Sequence, residues 1–220
     1  FQRSQLLKTA TSLVKTHGFT REALSRSVLD LPSRSDFKAH SEPLSDIAVS
    51  SLFGHGDTAR KTLIEAWLDE GIVHMGTSPA SSAATRANLA RTLHARLDYN
   101  TPVLHYLPEA FALLASPERA LPPIDPRAAL KHASRVADEA CYISGDASNE
   151  LSWYTRRASL AAIYSAAELH QFTSPETAHA FLDSLLTGSS VLKDTLDEVQ
   201  LFSTYVFKSW KGIIQSRGIF

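Results

Sequence analysis

Cysteine is all but missing. Cys141 is the only one in 220 residues, so an intramolecular disulfide is excluded, which fits a reducing compartment. Long apolar runs are missing too. The longest near-apolar run, about Leu160 to Ala167, is far short of the roughly 20 residues that a spanning helix needs, so no segment is expected to cross a membrane. No Asn-X-Ser/Thr glycosylation sequon occurs. Neither sign of charge is in excess. Lys and Arg number 22 against 23 Asp and Glu, for a net charge of −1. The chain therefore has no basic field for nucleic acid, and any anion-seeking surface must be local. The chain starts at Phe1 rather than Met, the pattern expected when a targeting segment is missing.

What is present is apolar and helical in period. At 44% hydrophobic and 20% charged, the chain can bury one fair-sized domain or two small ones. Leu6, Leu7, Ala10, Leu13 and Val14 repeat at about 3.6 residues, and His17-Gly18 closes that helix. Thr20 reads as the N-cap of a second helix, with Ala23, Leu24, Val28 and Leu31 on its apolar side. Pro32 to Pro43 reads as a loop. A short helix around Leu44 to Phe53 ends at Gly54-His55-Gly56, and Asp57 caps the next one, with Leu63, Ile64, Trp67, Leu68 and Ile72 facing inward. Gly76 to Ala84 reads as a hinge. A long helix then starts with Leu89, Leu93, Arg96 and Leu97, and Pro102 and Pro108 break or kink the chain after it. Asp125-Pro126 and Ser174-Pro175-Glu176 are helix-start signals. Between them Glu150 to Phe172 forms a helix, with Asn149 as its expected cap.

The N-terminal helices resemble a helix-turn-helix, which would suggest a repressor with a small apolar ligand. DNA binding needs Lys or Arg at phosphates. Between Lys38 and Arg60, the interval holding the would-be recognition helix, there is neither. A helical module kept for packing or contacts is the favoured reading.

Enzyme signatures are also lacking. Walker A, Gly-x-Ser-x-Gly, Gly-x-Gly-x-x-Gly and His-Glu-x-x-His are absent. One Glu-x-x-His runs from Glu176 to His179, whereas a di-iron bundle needs two, plus two further Glu. No metal site and no catalytic residue is assigned.

The helix from Glu150 places Trp153, Arg157, Leu160 and Tyr164 on one stripe and is otherwise rich in small residues, including Ala161. Either it packs tightly in a core or it walls a cavity for an elongated apolar guest. Leu93, Leu97, Phe111, Leu114, Val136, Ala140, Leu182 and Leu186 are the neighbours that would complete such a wall. From Val199 onward, Phe202, Val206, Trp210 and Ile213 share a face that Leu201 and Tyr205 widen, while Lys208 and Lys211 lie opposite. Such a helix suits a lipid interface or a dock on the core.

The string Trp153-Tyr154-Thr155-Arg156-Arg157-Ala158, continued by Leu160-Ala161-Ala162-Ile163-Tyr164 and Glu168-Leu169, resembles the ubiquinone (coenzyme Q) biosynthesis accessory proteins that share the TetR-repressor fold. Gly18-Phe19-Thr20 with Ala23, and Ser51-Leu52-Phe53-Gly54, resemble them more weakly. Two departures are Pro32 to Pro43, which looks like an insertion, and Leu113 to Glu118, where the family's Leu-Pro-x-Asn is not found.

The resemblance implies an all-α, TetR-like fold without DNA binding. Residues 1–75 would form a degenerate helix-turn-helix module, 76–85 a linker, 86–199 a helical lipid-binding domain and 200–220 an amphipathic membrane-associating helix. No cofactor is implied beyond a bound lipid, an isoprenoid quinone precursor or a phospholipid. The implied partners are the di-iron demethoxyubiquinone hydroxylase, inner-membrane lipid and a second copy in a homodimer. Trp153, Tyr154, Arg156 and Arg157 would carry the hydroxylase surface. The implied location is mitochondrial, peripheral on the matrix side of the inner membrane. A protein adaptor with no ligand stays open beside this reading.

Overall fold

The computed structural model describes residues 2–31, 41–77, 85–116, 125–145 and 150–191, and among them the chain is helical, with no strand. Among the described residues the α-helices follow in this order: α1 (Gln2–His17), α2 (Arg21–Arg26), α3 (Asp46–Phe53), α4 (Asp57–Met75), α5 (Thr85–Asn100), α6 (Leu107–Ala115), α7 (Arg127–Ile143), α8 (Glu150–Thr173) and α9 (Ala178–Val191). Short 3₁₀ turns, Thr101–Tyr106 and Pro175–Thr177, precede α6 and α9. The all-α expectation holds. None of the described helices is long and apolar enough to cross a membrane.

The start and stop chemistry comes from the residues at each end. Thr20 Oγ1 accepts the Ala23 amide at 3.3 Å, and Ser45 Oγ accepts that of Ala48 at 3.2 Å, so each satisfies a first-turn amide that has no intrahelical partner. Asp125 Oδ1 accepts the Arg127 amide at 3.0 Å, while Pro126 itself takes the N-cap position of α7. Asp57, expected as a cap, is the first residue of α4. Pro102 sits in the first turn of its 3₁₀ segment and Pro108 in the first turn of α6, where a missing amide leaves no helical bond unmade. Gly54 closes α3 at φ +111°, and a Cβ there would lie 2.7 Å from Thr58 Cγ2. Only glycine fits that corner.

The chain divides into two compact units, residues 1–70 and 71–220, and the division falls inside α4. In the first unit, Leu6, Ala10, Val14, Phe19, Leu24, Val49, Phe53, Leu63, Ile64 and Trp67 are buried. Phe19 meets Trp67 edge to face at 5.7 Å. Arginine ties this unit together. Arg21 reaches Asp46 Oδ1 at 2.6 Å, Ser50 Oγ at 2.7 Å and the Gly56 carbonyl at 3.2 Å. Arg3 donates to the Leu52 carbonyl at 2.7 Å, and Arg60 to that of Phe19 at 2.9 Å. α3 itself holds no cation and turns Ile47 to solvent at 80% exposure, a surface unlike one built for phosphate.

In the second unit α5, α7, α8 and α9 enclose one core. Ile72, Met75, Leu93, Leu97, Val136, Ala137, Ala140, Cys141, Leu160, Ile163, Tyr164, Leu182 and Leu186 are among its buried members. Cys141 is a buried thiol outside any disulfide and fills space in this core.

Candidate functional site

Nine of the residues expected to wall a cavity fall together. Leu93, Leu97, Val136, Ala140, Leu160, Tyr164, Leu182 and Leu186 are buried in the second unit's core, and Ala161 packs against it. Phe111 and Leu114 are buried in α6. Phe111 stands 5.8 Å from the rings of both His132 and Phe172.

A polar cluster is set into this apolar frame. Arg96, Asn100, His132, Glu168 and Gln171 are all buried, and the Tyr164 ring is fully enclosed. Glu168 Oε1 accepts from Tyr164 Oη at 2.7 Å, from Asn100 Nδ2 at 3.0 Å and from His132 Nε2 in a longer contact of 3.4 Å. Asn100 Nδ2 also donates to Gln171 Oε1 at 3.2 Å, Gln171 Nε2 donates to the Leu97 carbonyl at 2.8 Å, and Arg96 Nη1 donates to Asn100 Oδ1. Gly71 makes room for the guanidinium, because a Cβ there would stand 3.0 Å from Arg96 Cζ, Arg96 Nε and Tyr99 Cδ1.

Burial sets the electrostatics. It raises the Glu168 carboxyl, but His132, the Arg96 guanidinium and the Tyr164 hydrogen bond outweigh it and hold the group below the usual carboxylate range. Burial pushes the His132 imidazole below its ordinary value, against the pull of Glu168. Both directions are met by an ionised Glu168 and a neutral His132, with Arg96 and the hydrogen bonds left to stabilise the carboxylate. Burial, with the neighbouring carboxylate, keeps Tyr164 in its phenol form, so it donates.

A carboxylate can only accept, which assigns the imidazole proton to Nε2 and leaves Nδ1 as a bare acceptor. His132 Nδ1 is buried and has no hydrogen-bond partner among the described residues. An unmet acceptor of this kind costs about 1–3 kcal/mol. The set holds no nucleophile and base in sequence, and among the described residues no group of three His, Cys, Asp or Glu is placed to hold a metal.

A second locus lies at the N-terminal end of α8. Tyr154 is 72% exposed and its ring meets that of Trp153 edge to face at 4.6 Å. Trp153 is half-buried, and the Arg157 guanidinium lies 3.8 Å from its ring centroid. Arg157 Nε donates to Asp138 Oδ1 of α7 at 2.7 Å. Arg156 is exposed. One turn on, Leu160 is buried, so α8 passes from surface to core along its length. The residues expected at a membrane surface, Leu201, Phe202, Tyr205, Val206, Lys208, Trp210, Lys211 and Ile213, lie outside the described residues, as do Asn149, 32–40, 78–84 and Pro117-Glu118.

The buried polar set was not singled out from the sequence. Its signal is there, however, since Tyr164, Glu168 and Gln171 fall at helical spacing on the same face as Leu160, and Arg96 and Asn100 repeat one turn apart on α5.

Comparison with known proteins bears directly on the helices that build both loci. A family model described as COQ9 matches residues 127–192, that is α7 to α9. The mitochondrial ubiquinone biosynthesis protein coq9 of Schizosaccharomyces pombe is 29% identical over 150 residues, covering 66% of this chain and 56% of that protein. The chain is thus similar to COQ9 proteins, most directly across α7 to α9. The COQ9 protein of Drosophila melanogaster is 34% identical over 116 residues, 51% of this chain and 34% of its own. The human COQ9 protein is 27% identical over 208 residues, 89% of this chain and 60% of its own. The chain thus spans well over half, but less than two thirds, of the length of the first COQ9 relatives it matches, at 56%, 64% and 60%. The Trp153–Arg157 string and the buried Tyr164–Glu168 pair both sit on α8, inside the matched stretch.

Proposed function

We propose that this chain is a COQ9-like, non-catalytic lipid-binding accessory protein of ubiquinone biosynthesis. It works in the mitochondrion, on the matrix side of the inner membrane. It takes up an isoprenoid quinone precursor between α5, α6, α7, α8 and α9 and presents it to the di-iron demethoxyubiquinone hydroxylase. The observation that carries the reading is the family match across α7 to α9. Those helices contribute Val136, Ala140, Leu160, Tyr164, Leu182 and Leu186 to an almost wholly apolar core. A guest that stays in the bilayer for want of water solubility would find its match in such a lining. The exposed Tyr154 and the half-buried Trp153 supply rigid aromatic area of the kind that anchors protein interfaces. Residues 200–220 supply the membrane contact, with Phe202, Val206 and Trp210 entering lipid and Lys208 and Lys211 meeting anionic headgroups.

Two measurements test this. Organic extraction of the purified full chain, followed by mass spectrometry, should return isoprenoid quinone or phospholipid in near-stoichiometric amount; a lipid-free protein would leave only a ligand-free adaptor. Truncation after Val199 should abolish flotation with vesicles that contain cardiolipin, and undiminished flotation would sink the membrane role of 200–220.

A further inference from the structure

The polar cluster leaves one acceptor unexplained. Glu168 Oε1 is met by three donors, Asn100 Nδ2 also donates to Gln171 Oε1, and Gln171 Nε2 donates to the Leu97 carbonyl of α5. His132 Nδ1 is the one buried acceptor of this cluster with no hydrogen-bond partner among the described residues. Its ring stands 5.8 Å from those of Phe111 and Tyr164, and Phe111 in turn faces Phe172 at 5.8 Å. The Tyr164 hydroxyl is committed to Glu168. A water molecule needs two to four polar partners to be held in such a place. A hydroxyl on an aromatic ring needs only one acceptor, with apolar faces around it.

We infer that His132 Nδ1 is the docking point for a ring hydroxyl, so that this chain prefers a prenylated phenol or hydroquinone to the corresponding quinone. The inference rests on the lipid-carrier reading above and names the chemistry of its headgroup. The direction of the hydrogen bond sets the preference. Glu168 fixes the proton on Nε2, so Nδ1 can accept and cannot donate. A hydroquinone or phenol offers an O–H to that lone pair. A quinone offers only carbonyl oxygens, which place two acceptors face to face. The apolar tail would lie along the same core in either case, so the redox state of the ring alone sets the difference.

The experiment uses the full chain, stripped of lipid and kept under anaerobic conditions. It is titrated with a short-chain prenylated benzoquinone, with the same compound reduced to its hydroquinone, and with the prenyl alcohol farnesol as a tail-only probe. The expected result is hydroquinone binding roughly tenfold tighter than quinone, the size of one hydrogen bond. In His132→Phe the preference should vanish while quinone and farnesol affinities stay within about twofold. Protein labelled with ¹⁵N-histidine gives a readout that needs no variant, because the His132 Nδ1 resonance should move with hydroquinone and stay still with quinone. Equal affinity for the two redox forms, or a resonance that ignores hydroquinone, overturns the inference and leaves the carrier reading standing. If none of the three probes binds, the carrier reading itself falls, and the headgroup inference falls with it.

Discussion

Replacing Glu168 by Gln keeps the shape of the side chain and removes its charge. Its neighbours decide the consequence. Arg96 is fully buried, and its positive charge acts on Glu168 across a site closed to water. Removing one partner of a buried charge pair strands the other, at a cost of about 3–5 kcal/mol. The new amide also brings its own N–H group toward donors on Asn100, Tyr164 and His132 that had converged on Oε1. For a protein of this size each kcal/mol corresponds to about 2–4 °C, so Glu168→Gln should lower Tm by roughly 6–20 °C. Circular dichroism on heating and in urea reads both quantities. A cycle with Arg96→Met then isolates the pair. If the stranded guanidinium is the cause, the double variant should recover at least about 2 kcal/mol relative to the sum of the singles. A loss below about 1 kcal/mol for Glu168→Gln, or strict additivity in the cycle, would refute the account of Arg96 and Glu168 as one electrostatic unit.

The same cluster predicts a pH response. Glu168 is lowered in the folded state from an ordinary value of 4.5, so its contribution is present above that pH and fades below it. His132 is lowered from 6.5, so the unfolded chain takes up its proton first, and stability begins to fall as pH drops below about 6.5. Urea midpoints should therefore decline from about pH 7 to about pH 4, and His132→Phe should flatten the upper part of that decline. Gly71→Ala sets two effects against each other. Alanine gains about 1 kcal/mol in helix propensity, while its Cβ, 3.0 Å from the Arg96 guanidinium and the Tyr99 ring, displaces a buried charged hydrogen-bond donor worth more than that. A net loss of about 1 kcal/mol is expected in urea unfolding, and a stabilised variant would show that the guanidinium has room to move. At the start of α8 the two aromatics should separate. Tyr154→Ala should leave stability within about 0.5 kcal/mol yet, on the proposed function, weaken binding to the proposed hydroxylase partner in a pull-down or titration. Trp153→Ala should cost about 1 kcal/mol as well, through its lost stack with Arg157. Unaltered binding by both variants would remove this surface from the hydroxylase interface.

The local structure was legible because it depends on neighbours in sequence. The period of Leu6, Ala10 and Val14 fixes which face of α1 is buried. Thr20 caps α2 as read, because an N-cap needs only an amide three residues on. Gly54 stops α3 for a reason confined to one corner of backbone. The exposed Tyr154 beside a half-buried Trp153 reflects the turn of about 100° between successive helical residues.

The meaning of the buried polar residues was settled only by tertiary structure. In the sequence, Arg96, His132 and Glu168 are a basic, an aromatic and an acidic residue on three separate helices, α5, α7 and α8. Nothing in the spacing between helices says that His132 reaches Glu168 across 36 residues, or that Asn100 does so across 68. Whether a charge deep in a helical core is stabilised depends on what the facing helices bring to within about 3 Å. That is a property of packing. The sequence by itself determined helices, their apolar faces and the Trp153–Arg157 string on α8; the packing of α5 and α7 against α8 decided that a neutral histidine would keep one acceptor unmatched among the described residues.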